Sequence, residues 1–269
     1  MQKIIVANLK MSLVLKFEIE NWIKGFLRYK QELVSLNTSI VLTPPILSTL
    51  NFIEQFKDIK SIAVGLQDSF WERKGSFTGG ISASTLKSYG GEYVILGHSE
   101  RKKYFGETEE VVAYKLQGVS KLGLKSIVCV GETKEEKKKD LTKDSLSRQL
   151  KTYLDDFPPG RLDKLILCYE PIWAISTNKP VNPPTADEMM TAKLMMKKFL
   201  VEKYGANQAE KVKILYGGSA NQHNVEEICF EASMDGVLVG KASLVPAELM
   251  GMIKRVEGRL DVGRPSNIT

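Results

Sequence analysis

Cysteine is scarce in this chain: Cys129, Cys168 and Cys229 are the only three among 269 residues. Their separations match no metal-ligand spacing, which argues against a cysteine-built metal centre. Cys129 and Cys168 fall inside strand-like apolar runs, so the reading is of buried free thiols in a reducing cytosol. No apolar run approaches the roughly 20 residues of a membrane-spanning helix. No long apolar region with a cleavage site follows Met1, so neither a signal peptide nor a membrane partner is expected. Low-complexity segments are also missing. The formal net charge is +6, but the basic run Lys134-Glu135-Glu136-Lys137-Lys138-Lys139-Asp140 is interleaved with acids. Mixed signs read as a solvated helix face. No aromatics are interleaved there to stack bases, so no nucleic-acid partner is expected. A mild positive field would still help to gather an anionic substrate.

What is present is periodicity. Short apolar runs begin near Ile4, Ile40, Ile62, Tyr93, Ile127, Leu165, Val212 and Gly236, with helix-like stretches between them. Residues 17–29 place Ile19, Trp22, Ile23, Phe26 and Leu27 on one side at helical spacing, a packing stripe. Thr185-Ala186-Asp187-Glu188 has the spacing of a capping box, and the helix it opens, 189–200, reads as Met-rich and mostly core. Proline pairs at 44–45, 158–159 and 183–184 punctuate loops. The alternation without a long linker predicts an α/β fold, a closed (β/α)8 barrel in a single domain over 1–257. Residues 258–269 read as a polar C-terminal tail whose composition leaves it open to disorder.

Several of these runs end in signatures. Tyr169-Glu170-Pro171-Ile172-Trp173-Ala174 puts a carboxylate directly after the run Leu165–Tyr169. Barrel enzymes keep their chemistry at the C-terminal ends of strands. Pro171 keeps Glu170 out of helical geometry. Alone, this fragment is as consistent with a buried capping acid as with a site. Four further runs end in Asn8-Leu9-Lys10, Gly97-His98-Ser99-Glu100-Arg101, Tyr216-Gly217-Gly218-Ser219 and Gly240-Lys241-Ala242-Ser243-Leu244. The second histidine, His223, lies in polar Asn221–Asn224 and reads as surface.

At these residues the chain resembles the triosephosphate isomerase family, from about Lys3 to about Val256. Gly75–Gly79, Phe105-Gly106-Glu107 and Cys129-Val130-Gly131-Glu132 extend the likeness. The resemblance implies an aldose–ketose isomerase that moves a proton between adjacent carbons of a hydroxy-carbonyl phosphate, with no metal or organic cofactor. The family is itself a known example of side chains tuned by their surroundings, with a glutamate base and a neutral imidazole, and the resemblance implies those roles here. Glu170 matches the base; carboxylates in dry sites become competent proton acceptors. His98 matches the electrophile, and a helix N-terminus behind it favours a neutral ring. Lys10 matches the cation that stabilises the enediolate. Glu100 is expected to hold Lys10, and Asn8 to touch the substrate. Phosphate is expected on backbone N–H groups near Ser176, Ser219, Gly240 and Lys241, with Gly217 and Gly218 allowing close approach. Residues 171–179 match a lid that excludes water. The loop 67–80 would carry Thr78 into a partner's site, making a homodimer, with Trp71 and Phe77 as apolar surface.

The chain departs from the family pattern in places. Ser176-Thr177-Asn178-Lys179 stands where the family lid reads Gly-Thr-Gly-Lys, which reduces hinge freedom. Lys241 replaces a glycine, Leu9 a tryptophan, Gly80 an acid and Lys102 an arginine. Three readings stay open: interconversion of dihydroxyacetone phosphate and D-glyceraldehyde 3-phosphate in the cytoplasm, isomerisation of a longer, four-carbon ketose phosphate, and a non-catalytic homologue.

Overall fold

Eight short apolar runs are too hydrophobic to leave either face in water, and pairing them in parallel with helices outside buries both. The computed structural model describes residues 2–175 and 183–262. Along the chain lie β1 (Ile4–Asn8), α1 (Lys16–Leu27), α2 (Lys30–Val34), β2 (Ser39–Thr43), α3 (Thr49–Phe56), β3 (Ile62–Leu66), α4 (Ala83–Ser88) and β4 (Tyr93–Leu96). There follow α5 (Ser99–Phe105), α6 (Glu109–Lys121), β5 (Lys125–Val130), α7 (Lys134–Lys138), α8 (Thr142–Leu154), β6 (Leu165–Tyr169), α9 (Ala186–Tyr204), α10 (Ala206–Ala209), β7 (Lys213–Tyr216), β8 (Gly236–Val239) and α11 (Pro246–Val262). The strands close in sequence order, β1 pairing with β2 and with β8. The result is a single-domain (β/α)8 barrel.

Strand alternation divides the core in two. Ile4, Val6, Ile95, Ile127, Cys129, Ile166, Cys168 and Leu215 fill the barrel interior. Ile5, Ala7, Val128, Leu167 and Tyr169 face the helices. In α1, Trp22, Ile23 and Phe26 are buried, Ile19 and Leu27 pack against them from the edge, and Phe17 is exposed.

Two local expectations need correction or extension. In α9 the Thr185–Glu188 capping box forms. The helix behind it is not mostly core: Met189, Ala192, Met196 and Leu200 are buried, but Leu194 is exposed. A helix laid on a barrel buries one stripe, however apolar the rest. At the C-terminus, α11 continues through Val262, past the boundary drawn at 257. Residues 263–269 lie outside the described residues. The basic run forms α7, with none of its residues buried. No helix among the described residues is long and apolar enough to cross a membrane.

Candidate active site

Alternation along β1 and β6 carries the parity of the interior residues to the strand ends, where Asn8 follows Val6 and Glu170 follows Cys168. Both are buried, at 4 and 2% exposure. Beyond β4, Gly97 has φ 68° and ends the alternation. His98 follows as the N-cap of α5. Past β1, Lys10 adopts φ 51°, a sparsely populated region for a side-chain-bearing residue that persists only where the surroundings enforce it. It is held from several sides. Its N–H donates to Asn8 Oδ1 (3.0 Å), and its carbonyl accepts from Gln67 Nε2 (2.8 Å). A Cβ at Gly240 would stand 3.0 Å from its Cε.

The side chains form one connected network. Lys10 Nζ donates to Glu100 Oε1 at 2.6 Å. The Glu100 N–H donates to His98 Nδ1 at 3.3 Å. Nδ1 is thus an acceptor, and the tautomer assigned from this bond carries its proton on Nε2. That nitrogen lies 3.1 Å from Glu170 Oε1. Ser99 completes the grip on the carboxylate: its N–H donates to Oε2 (3.0 Å) and its hydroxyl to Oε1 (2.9 Å). Carboxylate oxygens at the first turn of a helix are favoured electrostatically as well as by bonding. Beside the network a pocket of about 270 Å³ opens, lined by Asn8, Lys10, Gln67, His98, Glu100 and Arg101 among others.

Across the barrel mouth, the expected anion side is only partly described. Ser176 and the rest of the expected lid, 176–179, lie outside the described residues. Gly240 precedes a short 3-10 turn, Lys241–Leu244, and Lys241 is exposed. The Ser219 N–H donates to Ala174 O at 3.0 Å, so it is occupied by the segment that follows β6. The glycine pair also has a reason apart from any ligand. A Cβ on Gly218 would stand 2.1 Å from the Tyr216 hydroxyl, so the chain's own packing requires glycine there. Thr78 is exposed on its loop and His223 is on the surface.

Several residues carried no role in the sequence. Ser99 stood between His98 and Glu100 without one. Glu132 shows the same signal as Glu170, a carboxylate just past a strand. It is fully buried and accepts from Tyr169 Oη (3.0 Å) and Trp173 Nε1 (2.8 Å). It anchors Trp173, in the segment after β6, rather than facing the network. Burial and the adjacent Glu132 push the Tyr169 phenol far up, keeping it a donor. Behind the pocket, Asp68, Arg101, Glu107 and Lys115 form a cross-linked set of charges. Lys115 lies 2.6 Å from Glu107 and 2.8 Å from Asp68, and Arg101 2.7 and 2.9 Å from the same two. Burial works against ionised Glu107, but the Lys115 and Arg101 bonds win and hold its carboxyl below the usual range. At Asp68 burial prevails and raises it. No local spacing announces such a set, since its members lie on separate segments.

Comparison with known proteins agrees along nearly the whole length. The family model described as Triosephosphate isomerase matches residues 3–256. A protein named triosephosphate isomerase from Alkaliphilus oremlandii is 39% identical over 252 residues, covering 93% of this chain and 98% of its own. One of the same name from Dictyoglomus thermophilum is 36% identical, covering 94 and 99%. Another, from Thermoanaerobacter pseudethanolicus, is 37% identical over 80 and 85%.

Proposed function

The chain belongs to the triosephosphate isomerase family, and from that premise we propose how it interconverts dihydroxyacetone phosphate and D-glyceraldehyde 3-phosphate, an aldose–ketose isomerisation of glycolysis. The observation that carries the reading is the single network joining Glu170, His98 and Lys10 through Ser99 and Glu100. Glu170 exchanges its bonds to Ser99 for the substrate and takes a proton from the carbon next to the carbonyl. His98 turns its Nε2–H from the carboxylate to the carbonyl oxygen. Lys10 stabilises the negative charge of the enediolate, which is worth most in a site closed to water. The proton returns to the neighbouring carbon while the hydroxyl proton passes to the former carbonyl oxygen by way of His98, so no oxidant or reductant is consumed. Asn8 supports Lys10 and touches substrate. Ser176, Ser219, Gly240 and Lys241 surround the phosphate. Ser219 becomes available once its bond to Ala174 is given up as the lid moves.

A homodimer through loop 67–80 is part of this reading. Phe77 is 43% exposed, and its ring lies 4.6 Å from Phe70. At the pocket rim, Met11, Ile46 and Phe105 are 84, 46 and 70% exposed, an apolar surface that a partner's Thr78 loop would cover. Sedimentation equilibrium tests it; a monomer at micromolar concentration would remove this part. The cytoplasm is the compartment in keeping with three unpaired, buried thiols.

The deciding experiment is a coupled assay of glyceraldehyde 3-phosphate conversion with the wild type and Glu170→Gln, repeated with a four-carbon ketose phosphate. Turnover should fall by about 10²–10⁴-fold in the variant while its circular dichroism is unchanged. Near-wild-type activity would remove Glu170 from the role of base. Faster wild-type turnover of the four-carbon substrate would replace the triose as the preferred substrate.

A further inference from the structure

Beside Glu170 lies a crevice too narrow for a water molecule, lined by Gly97, Ser99, Lys102, Cys129, Gly131 and Glu170. Lys102 lies one turn after Ser99 on α5 and is half-buried. Its ammonium reaches no carboxylate among the described residues. It donates to Gln149 Oε1 at 3.4 Å and stands 5.6 Å from the centre of the Tyr153 ring.

Gln149, buried on α8, spends the rest of its amide on one residue. Its Oε1 accepts the Gly131 N–H (3.1 Å), and its Nε2 donates to the Gly131 carbonyl (2.8 Å). Gly131 lies between the two carbonyls that hold the segment after β6. Glu170 N–H donates to Val130 O (2.7 Å) and Ile172 N–H to Glu132 O (3.0 Å). A Cβ at Gly131 would stand 2.0 Å from Glu170 O, so the Glu170 main chain rests directly on it. Lys102, Gln149, Gly131 and Glu170 thus form a chain of contacts from a cation to the carboxylate-bearing residue, and Lys102 and Glu170 also line one crevice.

We propose that Lys102 is a positioning residue for Glu170, anchoring the Gln149 amide that grips Gly131 and presenting a positive charge to the carboxylate. The proposal rests on Glu170 being the base. A cation at a dry carboxylate favours its ionised, proton-accepting form. The groups that share Lys102's surroundings are Cys129 on β5, Glu107, Glu109 on α6, Tyr153 on α8 and Glu170. His98 also meets the Glu170 carboxylate, its Nε2 at 3.1 Å from Oε1. Burial draws the Lys102 pKa down, against the pull of the Glu109, Glu170 and Glu107 carboxylates.

The test is the pH profile of kcat/KM, with kcat and KM separately, for the wild type, Lys102→Met and Lys102→Arg, beside Glu170→Gln. Lys102→Met should lower kcat by about ten- to a hundredfold with KM little changed. It should also move the acid limb up by about one pH unit. Lys102→Arg, which keeps the charge, should restore both. If Lys102→Met does not fold, Lys102→Gln carries the same measurement. An acid limb that stays in place in the folded variant, or a failure of arginine to restore it, would overturn the proposal. If Glu170→Gln is dead while the limb is unmoved, this proposal alone fails. A Glu170→Gln enzyme with near-wild-type turnover would take the base reading down with it.

Discussion

The two ends of the barrel use the same kinds of side chain to different effect. At the N-terminal end, several ammonium groups finish wholly or partly on the main chain, and Lys193 also meets Asp235 Oδ1 at 3.2 Å. Lys3 donates to the carbonyls of Cys229 (2.5 Å) and Met234 (2.6 Å), Lys197 to those of Ala209 (2.8 Å) and Val212 (2.9 Å), and Lys193 to that of Ser233. Asp235 accepts the Ile214 N–H at 2.7 Å. Glu257 is held there by the N–H groups and side chains of Asn37 and Thr38 at 2.6 to 2.9 Å. At the C-terminal end, Lys10 finishes on Glu100, and Glu170 on the His98 ring and on both the hydroxyl and the main-chain N–H of Ser99. Backbone partners cannot leave without unfolding the segment that carries them. Side-chain partners can rotate and be exchanged for a substrate. Charge held mainly by backbone contributes stability, and charge held mainly by side chains that face the pocket can take part in chemistry.

Four substitutions would break or sharpen that contrast. The largest effect is expected where the C-terminal end itself contains a fixed cluster. Glu107→Ala leaves Lys115 without its 2.6 Å partner, and breaking a buried pair costs about 3–5 kcal/mol. Urea unfolding should report that loss; an unchanged midpoint would mean that Asp68 alone suffices for Lys115. Next comes Lys10→Met, expected to reduce kcat/KM by about 10²–10³-fold with the urea midpoint nearly unchanged. A large stability loss instead would make Lys10 resemble the lysines at the other end.

Glu257→Gln tests the N-terminal end through pH. Burial opposes its ionised form, but the bonds from Thr38 and Asn37 hold the carboxyl below its usual range. A depressed native pKa gives stability that is present above the unfolded pKa, about 4.3, and is lost as pH falls through the lower native value. The wild type should therefore exceed the variant by about 2 kcal/mol at pH 7, with the gap closing in acid. A gap independent of pH would assign the effect to packing. Smallest is Lys3→Met, at about 1 kcal/mol with turnover unchanged; loss of activity in that variant would show that the two ends are coupled.

Much of the barrel was legible because strand and helix periodicity are local. Each apolar run became a strand within a residue or two of where it begins, and the Thr185–Glu188 box formed because its members lie three residues apart. Site legibility was uneven. Glu170 and Glu132 carry one signal, a carboxylate just past a strand, yet the fold sends Glu132 to Tyr169 and Trp173 and Glu170 to Ser99 and His98. The Gly217–Gly218 pair read as room for phosphate, whereas Gly218 is already required by the Tyr216 hydroxyl.

The sequence by itself determined the number of strands, the helical stripes, and which strand ends carry reactive side chains, because these follow from backbone period and residue type over a few neighbours. Only the tertiary structure decided who meets whom. Lys10 and Glu100 are 90 residues apart, Ser99 and Glu170 are 71 apart, and the tautomer of His98 follows from the direction of a helix N–H. Those contacts arise when barrel closure brings the ends of β1, β4 and β6 to one mouth, and short-range pattern carries no trace of that closure.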